Sequence, residues 1–192
     1  MKLFLTIFFF IFNLQSSIKA DTIRDFQIEG MSVGDNVLNY FEKDELNNFE
    51  KFTYPDSIFS EIFTHSANYK IYDTVTLSMK AGKFEIYGIS GAIDYRKKSF
   101  KECLDAKNII VEELTSIFKN SRLVDNGTYK TPDYVGNKSK RAQVEIHLDN
   151  NGGVISVDCV DWSKEAENKH GWGDNLNITL YSKEYETFAR SL

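Results

Sequence analysis

The chain has 192 residues and a formal charge of −5, from 23 Lys and Arg against 28 Asp and Glu. That sign disfavours nucleic acid and anionic lipid as partners. With 15 Phe, 10 Tyr and only 2 Pro, the composition is that of a folded chain, and its length suits one domain with a sizeable core.

The N-terminus addresses the chain. Lys2 supplies a short positive region, Leu3 to Phe12 is apolar except for Thr6, and "SSIKA" ends in the small residue Ala20. This pattern predicts a secretory signal peptide over residues 1–20, cleaved before Asp21. The apolar run is shorter than the roughly 20 residues that span a bilayer, and no cysteine near the cut offers a lipid anchor. Residues 21–192 are then one periplasmic or secreted domain, with no stable membrane insertion after cleavage. Lys2 and Lys19 leave with the signal, which moves the charge to about −7.

"EGMSVGDNVLNYF", Glu29 to Phe41, comes next. Ser32 and Asp35 have the spacing of a capping box, and Val33, Val37, Leu38 and Phe41 recur at helical intervals, so a first helix is predicted here. A phosphate-cradling loop is excluded on content, because neither glycine-rich phosphate signature is present and Asp35 would repel the anion. "KDELNNF" adds a second short turn.

From Ser57 the period changes to two. "SIFSEIFTH" reads as a strand, and in "YDTVTLSMK" Val75, Leu77 and Met79 alternate with Thr74, Thr76 and Ser78. "KAGK" turns the chain into "FEIYGISGAIDY", where Gly88 and Gly91 signal a bulge or a close backbone approach. A long helix follows, opened by Ser99 and Glu102, with Cys103, Ala106, Ile110, Leu114, Ile117 and Phe118 along one face. Residues 125–140 read as a polar loop. "AQVEIHLD" and "VISVDCVDW" form a second hairpin about "NNGG", and "NLNITLY" is a last strand.

Cys103 and Cys159 are the chain's two cysteines. An even count in an exported chain reads as a disulfide. Cys103 lies on the helix's apolar stripe, and Cys159 shares a strand face with Ile155 and Val157, so the two meet if that face packs on the helix. The predicted order is helix, three strands, helix, three strands. That is an α+β domain with helices on one face of a mostly antiparallel sheet, α-βββ-α-βββ, with a helix-to-sheet disulfide and a hint of duplication.

Chemistry has few places to reside. His65, His147 and His170 are scattered without metal-ligand spacing, and His147 is expected at the surface beside Gln143 and Glu145. The acidic, aromatic segment from Asp158 to Asn175 is the exception. Asp158, Asp161, Glu165 and Asp174 offer acid–base pairs or oxygen ligands for calcium, and Trp162 and Trp172 offer flat faces for a sugar or similar ligand.

"DFQIEGMSVGDNVLNYF", "IYGISGAIDY", the cysteine opening the long helix, "VDCVDWSKE" and "DNLNITL" together resemble a set of small exported proteins of unknown function from Pelagibacter-like marine alphaproteobacteria. The resemblance covers most of residues 21–192 and implies a periplasmic address and a shared Cys103–Cys159 pair. "GMSVGDNVLNYF" alone is similar to the first helix of BamE-like and β-lactamase-inhibitor-like periplasmic modules, although "EKDEL" stands here where those carry a Gly-Pro ending. The expectation is a non-catalytic binding or accessory module without a cofactor or metal, whose partner is an envelope protein or a small ligand. The alternative is a carboxylate-based hydrolase with its site in residues 158–174.

Overall fold

The computed structural model describes residues 22–54, 58–148 and 152–191. The predicted signal peptide lies outside them, as does part of the "NNGG" turn. The protein is α+β. Eight strands form one antiparallel sheet in the order β1-β2-β3-β4-β8-β7-β6-β5, comprising β1 (Glu50–Thr53), β2 (Phe59–Thr64), β3 (Thr74–Lys80), β4 (Ile86–Asp94), β5 (Ser121–Lys130), β6 (Lys140–Leu148), β7 (Val154–Asp161) and β8 (Asn175–Tyr181). The helices are α1 (Lys43–Asn48), α2 (Phe100–Ile117), α3 (Lys164–His170) and α4 (Lys183–Ala189). Each half contributes a four-stranded meander, and the halves join where β4 pairs with β8. The predicted order therefore lacked one strand per half, β1 and β5, together with α3 and α4.

Period-two alternation sorts the strands onto two faces. On one face lie Val75, Leu77, Ile89, Ile146, Ile155, Val157, Leu176, Ile178 and Leu180, all buried, and α2 packs across β6, β7 and β8 on this side. The capping box of α2 is present, with the Ser99 hydroxyl accepting the Glu102 N–H while the Glu102 carboxylate accepts from Ser99. Cys103, in the first turn, is bonded to Cys159 on β7. One stripe residue departs from its neighbours: Lys107, one turn after Cys103, is also buried.

Ser32 to Phe41 forms no α-helix, which corrects the prediction and removes the helix on which the weaker resemblance rests. The Asp35 carboxylate does accept the Ser32 N–H at 2.8 Å, but Ser32 Oγ donates to the Phe26 carbonyl instead of capping a helix. The backbone pairs outward: Gly34 N–H donates to Ile86 O, Ile86 N–H to Asp35 O, and Val37 N–H to Phe84 O. Val33, Val37 and Phe41 are buried as expected, although only Val37–Asn39 makes a short 3₁₀ turn, capped by Asn36. Pairing with Phe84–Ile86, where interior strand β4 begins, satisfies the backbone that a helix would otherwise satisfy internally.

Gly88 and Gly91 behave as predicted. The β3–β4 register slips between Ser78 and Met79, opposite Gly88 and Ile86. A Cβ at Gly91 would sit 2.4 Å from the Tyr72 ring, and one at Gly88 2.9 Å from the Tyr185 ring. These positions need glycine for room, not for dihedral freedom.

Candidate ligand-binding face

The other face of the sheet is polar, and the strand registers order it into rows. The first row runs Glu61, Ser78, Gly88, Tyr181, Val154, His147 from β2 to β6. The second is Thr76, Ser90, Thr179, Ser156, Glu145, the third Ala92, Asn177, Asp158, Gln143, and the fourth Asp94, Asn175, Val160, Arg141, Tyr129. The short helix α4 crosses the first row, so helices occupy both faces. Its Tyr185 hydroxyl donates to Glu61 at 2.7 Å, and Arg190, just past its end, donates to Glu145 at 2.8 Å. Between them, Phe188 meets Tyr54 and Phe59 with centroids at 5.2 and 4.9 Å.

Apart from Glu145, which Arg190 reaches, rows two to four lie beyond α4 and are joined by side-chain hydrogen bonds. Ser90 and Thr179 hydroxyls are 2.9 Å apart. Gln143 is the hub: its Oε1 accepts from Tyr129 and Asn126, each at 3.1 Å, and its Nε2 donates to Ser156 Oγ at 3.0 Å. Ser156 in turn donates to Asp158 at 3.4 Å. Arg141 Nε is 3.7 Å from Asp158 Oδ2, an ion pair too long for a hydrogen bond. That Nε is buried and without a hydrogen-bond partner. Asp158 is 4% exposed, and burial pushes its carboxyl above the usual carboxylate range, against the opposing pull of Arg141.

The remaining residues of the acidic, aromatic segment are dispersed. Asp158 and Asp161 are three apart on one strand and so face opposite ways; Asp161 pairs with Lys140 at 2.9 Å, and Glu165 with Lys138 at 2.6 Å. Asp174 accepts the Trp162 N–H at 2.7 Å, extending the β7–β8 pairing; burial raises its carboxyl, and that hydrogen bond opposes the rise. Trp162 and Trp172 do come together, with centroids 4.4 Å apart, and His170 stacks on Trp172 at 4.3 Å. The trio sits where β7 ends and β8 begins, next to the fourth row. His147 is not the surface residue expected, since it is half-buried and 3.0 Å from Glu145. Among the described residues no cluster of three or more His, Cys, Asp or Glu is arranged for a metal ion, and no helix is long and apolar enough to cross a membrane.

Sequence reasoning missed Asp133, which is fully buried in the loop between β5 and β6. Its carboxylate accepts backbone N–H groups from Val135, Gly136, Asn137, Lys138 and Ser139, and hydroxyls from Ser139 and Ser163. Burial alone would raise this carboxyl, but the hydrogen bonds outweigh it and hold it far below the ordinary carboxylate range. The loop so fixed carries Tyr134, which is 77% exposed and has a left-handed backbone, φ 57°. A bulky residue there is strained.

Comparison of the chain with protein-family models, with curated proteins and with solved structures finds no match.

Proposed function

We propose that this protein is an exported binding module that holds a small polar ligand on the open face of its sheet, over the second to fourth rows. The observation that carries the reading is the pair Asp158 and Arg141. A buried carboxylate facing a half-exposed arginine whose buried Nε has no hydrogen-bond partner is costly for stability alone, and a ligand that completes those bonds returns that cost as affinity. Buried Ser156 and Thr179, with Asn177 and Gln143 alongside, surround the pair with donors and acceptors, as in a pre-formed site. The acid–base alternative is disfavoured, because Asp158 is alone among the four segment carboxylates in these rows. Export is supported by the signal-like N-terminus, the resemblance to exported proteins and the disulfide, which persists in oxidising compartments.

The test is a thermal-shift screen of residues 21–192 against small polar metabolites, repeated on Asn177→Ala. Compounds that raise the midpoint of the wild type and not of the variant are expected. If every hit stabilises both proteins equally, the open face is not the site.

A further inference from the structure

Asn126 and Gly127 lie at the bulge of β5, where the register with β6 steps from Asp125 to Gly127 and leaves Asn126 without a partner in the ladder. Both residues are exposed on the sheet edge. Asparagine is a thermolabile residue, and a glycine after it has no Cβ to obstruct the approach of its backbone nitrogen to the side-chain amide. In that reaction the Gly127 nitrogen attacks Asn126 Cγ. The N–Cγ bond forms as the Cγ–Nδ2 bond breaks, and Nδ2 leaves as ammonia with the proton from Gly127. Water then opens the cyclic imide at either carbonyl, giving aspartate or isoaspartate, and nothing but water is consumed.

The fold restrains both reactants. In the imide, Cγ takes the direction that the Gly127 N–H holds before reaction. That N–H donates to Asp125 Oδ1 at 2.8 Å, so the attacking nitrogen is turned to a neighbouring carboxylate and away from Cγ. The amide it would attack is tied across to β6, where Asn126 Nδ2 donates to Gln143 Oε1 at 3.1 Å. Packing adds nothing on the glycine side, since a Cβ at Gly127 would meet no atom within 4 Å. Two hydrogen bonds on an exposed edge therefore supply the restraint. Conversion would be felt on the polar face, because Gln143 Oε1 also accepts from Tyr129 while its Nε2 donates to Ser156. An aspartate at position 126 offers acceptors alone. Gln143 then loses that bond or turns its amide, and turning takes the acceptor from Tyr129 and the donor from Ser156.

We infer that Asn126 is a deamidation site, held in check by Asp125 and Gln143, whose conversion breaks the hydrogen-bonded centre of the polar face. The purified protein is incubated at mildly alkaline pH, folded and in denaturant, alongside Asp125→Ala and Gln143→Ala. Peptide mapping reads the conversion and separates Asn126–Gly127 from Asn151–Gly152, the other such pair in the sequence. Each protein is compared with its own denatured chain, which removes the effect of a changed neighbour on the intrinsic rate. Wild type should convert about tenfold more slowly when folded. Asp125→Ala should abolish most of that difference, the worth of one hydrogen bond to a charged group, and Gln143→Ala should reduce it by about threefold, as for a neutral bond. Folded wild type converting as fast as its denatured chain overturns the restraint, and an undiminished difference in both variants overturns its assignment to Asp125 and Gln143. No conversion at Asn126 in denaturant overturns the site itself. Asn126→Asp, which is one of the products, should shift the Gln143 side-chain amide resonances in ¹⁵N spectra, and unmoved resonances overturn the link to the polar face.

Discussion

The two faces of one sheet are built from the same strands and do opposite work. On β8, Leu176, Ile178 and Leu180 point into the helix-covered core while Asn175, Asn177 and Thr179, between them, point to the open face. The helix side is sealed three ways, by apolar burial, by the α2 capping box and by the Cys103–Cys159 bond, and its residues are interchangeable in kind. The open side is specific in kind, since buried Ser156, Asp158 and Thr179 each meet a particular polar partner on their own or the adjacent strand. If the proposed function holds, stability and recognition are separated residue by residue along a strand.

That separation can be broken most forcefully at the disulfide. Replacing both cysteines by serine should cost about 4 kcal/mol, the loop-closure value for the separation of 56 residues, and lower the melting midpoint by roughly ten degrees. A drop of only a degree or two in calorimetry would mean that the core holds α2 unaided. Next in size is a matched pair of neighbours on β8. Ile178→Ala should cost about 2–5 kcal/mol by opening a cavity against α2, whereas Asn177→Ala should cost under about 1 kcal/mol and be felt in ligand affinity. Chemical denaturation of the two proteins reads the difference, and equal losses would deny that the faces are distinct in role.

The two buried aspartates sharpen the comparison with opposite signs. Asp133 has a lowered pKa when folded, so it stabilises above its unfolded value of about 3.9 and loses that contribution as pH falls through the folded value. Asp133→Asn should therefore melt well below wild type at pH 7, with the gap closing under acid. Asp158 has a raised pKa, so its contribution is complete below about 3.9 and is lost as pH rises through the folded value. Asp158→Asn should match wild type in acid and equal or exceed it at pH 7, a small effect visible in melting curves across that range. A variant that melts lower at pH 7 than in acid, relative to wild type, would refute the reading of Asp158 as a residue kept at some expense to the fold.

Local signals were legible where packing reinforced them. The alternation of β3, the turn into β4, the stripe and capping box of α2 and the β6–β7 hairpin all agree with both pattern and structure. β5 has no such pattern: its ten residues, SRLVDNGTYK, form an exposed edge, bulged at Asn126 and Gly127, and polar edge strands resemble loops. Ser32 to Phe41 shows the converse, a good helical pattern overridden by pairing with Phe84 and Ile86. The site was half visible. Asp158, Trp162 and Trp172 stand out in one segment, but Arg141, Gln143 and Asn177 read as ordinary solvent-facing positions until long-range pairing aligns them. Asp133 gave no sign at all, because its role depends on backbone geometry.

The most direct test of the open face as a binding site is native mass spectrometry of the protein isolated, undenatured, from the cells that make it, alongside Arg141→Ala. The account predicts an adduct of small-molecule mass on the wild type that the variant lacks. A bare wild-type protein, or the same adduct on both, would contradict it.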